Sequence, residues 1–200
     1  MTLGQRDGVP FFHCHGLWTE ADGRAGGGHI VPEETVVAEP FEVDAFGLDG
    51  ALFTAEPDPE TNFKLFGPIP SAAAAAKTTT ETTSKTTSRA YALRLRPNQD
   101  FAGSLEAFCR EQGIISAKLH GGVGSIIGAR FADGRTVEPF ATEMAVRSGM
   151  IASDASGTPK ATLDVAVVDH LGGLAVGRLV RGDNPVLMTM ELVLEVIEGL

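Results

Sequence analysis

The stretch Phe11-Phe12-His13-Cys14-His15-Gly16-Leu17-Trp18, followed by Gly26-Gly27-Gly28-His29-Ile30, decides how this chain folds. It holds three of the five histidines in the sequence. Successive side chains on a β-strand point to opposite faces, so His13 and His15 project from the same face of a predicted strand. The first strand therefore presents two imidazoles side by side.

The turn after this strand brings the third histidine back toward the first two. Asp22-Gly23 is a two-residue hairpin signal, which places His29 nearly opposite Gly16 and beside His15, with a one-residue bulge among the glycines adjusting the fit. Three neutral imidazoles on one sheet face suit a divalent metal such as zinc and leave one coordination position open, as in catalytic sites. The alternative is three ordinary half-buried strand histidines, and the H-x-H pattern with a third histidine across a hairpin favours the metal.

Composition limits the class of protein. The chain has 200 residues, is 43% hydrophobic and carries a formal net charge of −10, which disfavours nonspecific nucleic-acid binding. Cys14 and Cys109 are far apart, so a disulfide is not indicated and a cytoplasmic location is the simplest expectation. Cys14 alternates with the histidines and is not expected to be a ligand. No apolar run is long enough to span a bilayer, and no membrane partner is predicted.

The first part of the chain is predicted to consist of strands without a helix. The pattern indicates strands over 8–18, 24–31, 35–46, 51–54 and 63–66. Glu42 lies on the third of these, which follows the hairpin directly. It is the candidate catalytic acid or base, or a fourth ligand, and the alternative is a solvated residue on a surface strand.

Residues 68–89 are of low complexity, with alanine, threonine, serine and lysine and hardly a large apolar side chain, which predicts a flexible linker. Beyond it, Asn98 or Asp100 can cap a helix that runs to about Gln112. Further strands are expected over 91–96, 114–119, 126–131, 140–146, 161–168, 174–179 and 186–197. Antiparallel hairpins with one strong helix predict an α+β fold with a mostly antiparallel sheet.

An internal repeat links the two ends of the chain. A shift of 149 residues aligns the histidine hairpin with the C-terminal part without gaps, and seven positions between residues 8 and 42 are identical, among them the pair Glu42 and Glu191. In the second copy, the positions of the three histidines are taken, in order, by Thr162, Asp164 and Arg178. An arginine would repel a cation, so the second copy is predicted to hold no metal and to pair Arg178 with Asp164.

Two histidines lie outside the repeat signal. His120 and His170 do not rebuild the triad, and we interpret them as structural or surface residues. The run that begins at His120 superficially resembles a phosphate loop but lacks its glycine and lysine spacing.

The first copy also begins only seven residues before its first repeat glycine, so we expect either a truncated form of a longer two-domain protein or a partner chain that supplies the other half.

The pattern H-x-H, then G-G-H, then a predicted strand bearing Glu42, resembles the plant and prokaryote conserved domain (PPC, also called PCC). Residues 1–67 resemble the C-terminal half of one copy, with the ligands intact, and residues 90–200 a whole second copy without them, with 68–89 between. The resemblance implies an α+β domain, usually trimeric, whose fold is similar to that of alpha-acetolactate decarboxylase, which holds zinc with three histidines. The Arg-Gly-Arg-Pro motif of the plant DNA-binding relatives is absent from the sequence, which makes a DNA partner the third choice.

Two functions follow from these observations. The first is a zinc-dependent lyase or hydrolase that acts on a small carboxylate or carbonyl compound, with the metal on His13, His15 and His29. The second is a non-enzymatic, metal-stabilised oligomeric regulatory module. Eight aromatic residues in the first 67 positions are more than so small a segment can bury alone, so we expect a homo-oligomer, and a trimer in view of the resemblance.

Overall fold

The computed structural model describes residues 1–37, 39–71 and 88–197. These form a mostly antiparallel β structure with one helix, which confirms the predicted class. The strands of the N-terminal part are β1 Thr2–Arg6, β2 Val9–Thr19, β3 Ala25–Ile30, β4 Ala51–Pro57 and β5 Lys64–Pro70. The C-terminal part contains β6 Ala90–Leu95, α1 Phe101–Glu111, β7 Ser116–Leu119, β8 Val123–Arg130, β9 Thr136–Ser153, β10 Pro159–Asp169, β11 Leu174–Arg178 and β12 Val186–Val196.

The N-terminal sheet has the order β3-β2-β1-β4-β5, and only the β1–β4 pair is parallel. Its hairpin differs from prediction by one residue, since His29 lies directly opposite His15 rather than opposite Gly16. The cause is the turn. The Glu20 amide bonds the Arg24 carbonyl at 2.8 Å, so three residues rather than two form the loop, and an odd loop length shifts the register by one.

The predicted strand over 35–46 is wrong. The described residues of this segment have no regular secondary structure, and apolar side chains that would face a sheet, such as Val37 and Phe41, are exposed. The equivalent segment of the second copy forms β12, which pairs with β6, β7 and β8. An alternating pattern makes a segment competent to form a strand, but the strand needs neighbours to pair with.

The C-terminal sheet has the order β11-β10-β9-β7-β12-β6, with β8 paired to β9 and β12. Helix α1 begins where predicted, because the Asp100 carboxylate accepts the Gly103 amide at 2.7 Å. Its apolar face packs on β10 and β9 and closes the main core, whose largest buried side chains include Phe101, Leu105 and Met144.

A second, smaller core joins the two parts of the chain. Phe53, Ala55 and Phe66 of the N-terminal sheet are buried together against Ala92 and Val193 of the C-terminal part. Most of the predicted linker lies outside the described residues, so its flexibility stays a prediction. Among the described residues, no helix is long and apolar enough to cross a membrane.

Candidate metal centre

The two strands of the first hairpin bring three imidazoles to one point. His13 Nε2 lies 3.1 Å from His15 Nε2, which in turn lies 3.2 Å from His29 Nδ1. The ligand atoms of all three lie within 4.8 Å of one another. In the part of the chain that the structure describes, no other cluster of three potential ligands meets this standard. The predicted convergence is therefore present.

The second ring nitrogens of two histidines are held by the C-terminal part of the chain. His13 Nδ1 lies 2.9 Å from both carboxylate oxygens of Glu191, a side chain that is 1% exposed. His15 Nδ1 donates to the Met144 carbonyl at 3.0 Å. Bonds of this kind fix the tautomer and ring orientation of a metal-ligating histidine and leave its other nitrogen free. Both rings thus present Nε2 to the centre.

The donor set fits a cation better than a proton. His15 Nε2 faces three polar atoms at once, which are His13 Nε2, His29 Nδ1 and Glu143 Oε2, the last at 2.9 Å. Because the hydrogen of the neutral ring lies on Nδ1, this nitrogen has none to donate to the Glu143 carboxylate, whereas a cation would be attracted by all of these atoms. Tetrahedral zinc with Zn–N bonds of about 2.0–2.1 Å requires nitrogens about 3.3 Å apart, close to the two spacings found.

The surroundings lower the pKa of two groups in the cluster, His29 and Glu143. Burial, and then the charges of His13 and His15, lower the pKa of His29, which favours the neutral imidazole. Burial alone raises the pKa of the Glu143 carboxyl. Its hydrogen bond with His15 and the charges of the three histidines outweigh that effect, so this pKa lies below its usual value. Glu143 is therefore a carboxylate at neutral pH.

Glu42 does not lie on a strand beside the hairpin, as the sequence predicted, but is exposed in the irregular segment after β3. The carboxylates that contact the histidines are Glu143 on β9 and Glu191 on β12. The repeat aligns Glu191 with Glu42, and this alignment is the one feature of the sequence that could have indicated Glu191 as a site residue. No sequence pattern pointed to Glu143.

The remaining histidines lie outside the triad, as predicted. His120 Nε2 is bonded to Glu195 Oε2 at 2.5 Å, and its ring stacks on Phe46 with centroids 4.2 Å apart. His170 packs against Phe140 at 4.7 Å. These contacts give His120 a structural role, whereas His170 is an exposed surface residue.

The family of the chain follows from its C-terminal part. The family model of the Plants and Prokaryotes Conserved (PCC) domain matches residues 82–198, which is more than half of the sequence. The chain belongs to the PCC domain family. No curated protein matches the chain.

Solved structures of other proteins resemble this PCC protein at low identity. A plant- and prokaryote-conserved protein from Pyrococcus horikoshii is 19% identical, with 60% of this chain and 87% of that chain covered and a TM-score of 0.47. A hypothetical protein from Salmonella enterica is 27% identical over 57% and 81% of the two chains, with a TM-score of 0.44. A metal-containing protein from Archaeoglobus fulgidus is 19% identical over 56% and 81%, with a TM-score of 0.47.

Proposed function

We propose that this PCC protein binds one divalent metal ion, zinc, on His13, His15 and His29. The observation that carries the proposal is the convergence of three ring nitrogens while the second nitrogens of His13 and His15 are bonded to Glu191 and to the Met144 carbonyl. This is the pattern by which proteins orient histidine ligands.

The proposed activity is that of a lyase or hydrolase on a small carboxylate or carbonyl compound. A bound zinc ion would supply Lewis acidity toward a substrate oxygen or a water. Glu143 is the residue placed to move a proton there, since its carboxylate lies 2.9 Å from His15 Nε2 and its side chain is 38% exposed. Glu191 is buried behind His13 and positions that ring.

A second candidate function is that of a non-enzymatic module stabilised by its metal. It is favoured by the origin of the site, because the histidines come from the N-terminal part and both carboxylates from the C-terminal part. An ion held there would tie the two parts together. If Glu143 served as a fourth ligand, the coordination shell would be closed, which is typical of structural zinc.

Metal analysis of the purified full chain tests the shared claim. We expect about one zinc per chain after reconstitution and dialysis, and its loss in a variant with His13, His15 and His29 all changed to alanine. His170→Ala is the matched control, since that histidine lies outside the triad, and it should keep its zinc. A triple variant that retains one zinc per chain would refute the site.

Glu143→Gln separates a hydrolase from the stabilising module. For a hydrolase, this variant keeps about one zinc per chain while its hydrolysis of a small ester, p-nitrophenyl acetate, falls by about 10²-fold or more, the contribution typical of a general base. For the stabilising module, neither the wild type nor Glu143→Gln hydrolyses the ester faster than the triple histidine variant does. Removal of zinc by a chelator then lowers the melting temperature of the wild-type chain.

A further inference from the structure

The N-terminal sheet has an apolar face that points away from the three histidines. It is formed by Leu3, Phe12, Cys14, Trp18 and Ile30, which we call the outer apolar face. Leu3 lies opposite Phe12, and Cys14 opposite Ile30, so each pair shares one side of the sheet. Leu3 is 63% exposed and Trp18 42%, and the other three are half-buried.

The internal repeat shows what the same face does in the second copy. The shift of 149 residues places four members of the outer apolar face on three residues of β10 and on the residue that follows β11, which are, in order, Ala161, Leu163, Val167 and Leu179. All four are buried. The two hairpins have the same register, because Asp164 lies opposite Arg178 as His15 lies opposite His29. The two faces are therefore structurally equivalent.

Helix α1 is the element that covers this face in the second copy. Phe101, Leu105 and Cys109 recur at intervals of four, are fully buried and belong to the same core as the β10 residues. The Glu106 carboxylate adds a polar anchor by accepting the Ala161 amide at 2.8 Å. Within 1–37 and 39–71 the structure contains no helix, and α1 is already packed on the second copy.

We propose that the outer apolar face is the docking surface for an amphipathic helix of the α1 type, presented by a second polypeptide. The partner has large apolar side chains at intervals of four residues on one face, as α1 has. The surface is independent of the proposed metal site, because side chains on alternate positions of β2 point to opposite sides of the sheet.

Fluorescence anisotropy with the full chain tests this proposal. The probe is a labelled peptide of residues 98–113, held helical by a side-chain staple that joins positions 107 and 111 on its solvent side. We expect saturable binding to the wild-type chain and at least a tenfold weaker affinity for Phe12→Glu and for Leu3→Glu. The second variant changes a largely exposed side chain, so it keeps the test valid if Phe12→Glu fails to fold.

Two controls separate docking from nonspecific adhesion. Ile115→Glu changes an apolar residue of the C-terminal part that is 71% exposed, against 63% for Leu3. This variant should bind the probe as wild type does. A probe with Leu105→Glu should not bind. The proposal is overturned if the probe does not saturate, or if Leu3→Glu binds it as wild type does. It is also overturned if sedimentation shows wild-type self-association that Leu3→Glu abolishes, since a second copy would then cover the face.

Discussion

Asp164 lies directly opposite Arg178 in the C-terminal hairpin, at the register positions that His15 and His29 hold in the N-terminal hairpin. Arg178 Nη2 and Asp164 Oδ2 are 3.7 Å apart, which confirms the pairing predicted from the repeat. The second copy thus carries a guanidinium in place of an imidazole. Its hairpin holds an ion pair where the first has two imidazoles, so we expect the proposed metal in the first copy alone.

The metal stoichiometry should not depend on this second hairpin. We expect Asp164→Ala and Arg178→Ala to leave the zinc content at about one per chain. Because the Arg178 side chain is largely exposed and Asp164 is only half-buried, each change should cost no more than about 1 kcal/mol of unfolding free energy. Metal analysis and urea denaturation check both statements, and a loss of zinc in either variant would mean that the second copy takes part in binding.

Glu191→Gln should weaken zinc binding by about 10- to 100-fold, because this carboxylate orients the His13 ring from behind. The measurement is a competition titration against a chromogenic zinc chelator. Glu195→Gln is the matched control, since Glu195 lies on the same strand but bonds His120. Equal affinities of the two variants would remove Glu191 from the site.

Glu106 should stabilise the contact between α1 and the sheet in a pH-dependent manner. Its carboxylate accepts the Ala161 amide at 2.8 Å and is bonded to Arg181. We expect Glu106→Gln to cost about 1.5–3 kcal/mol at pH 7, the range for hydrogen bonds to charged groups. Glu111→Gln, on the exposed side of the same helix, should have little effect.

The sign of the pH dependence follows from the pKa of Glu106. Burial raises this pKa, but the hydrogen bonds from Arg181 and Ala161 and the charge of Arg181 lower it more. The folded pKa therefore lies below the ordinary value of 4.5, which we take for the unfolded chain. The stabilisation is complete above that pH and is lost as the pH falls through the folded pKa. Denaturation midpoints of wild type and Glu106→Gln should converge in acid, and a constant difference down to pH 2 would contradict this assignment.

The sequence predicted the local parts of the site well. His13 and His15 share a face because strand periodicity demands it, and Asp22-Gly23 returned the chain so that His29 came beside His15. The error of one residue arose from the turn, whose loop length the dipeptide alone does not determine. The N-terminal helix cap at Asp100 could likewise be predicted from the sequence, because capping depends only on neighbouring residues.

The long-range parts could not be predicted. Segment 35–46 is the repeat counterpart of β12, but only β12 has β6, β7 and β8 to pair with. The sequence therefore predicts Glu42 at the site, whereas its repeat counterpart, Glu191, is the residue that contacts His13. Glu143 is 128 positions from His15 and reaches it only because the first hairpin packs on β9, a contact that no local pattern encodes.

Anomalous diffraction at the zinc edge, from crystals of the zinc-loaded full chain, tests the central claim most directly. The account predicts one strong peak per chain at about 2.0–2.1 Å from His13 Nε2, His15 Nε2 and His29 Nδ1. A peak at another place, such as the His120–Glu195 pair, or no peak between the three histidines in crystals that contain zinc, would contradict it.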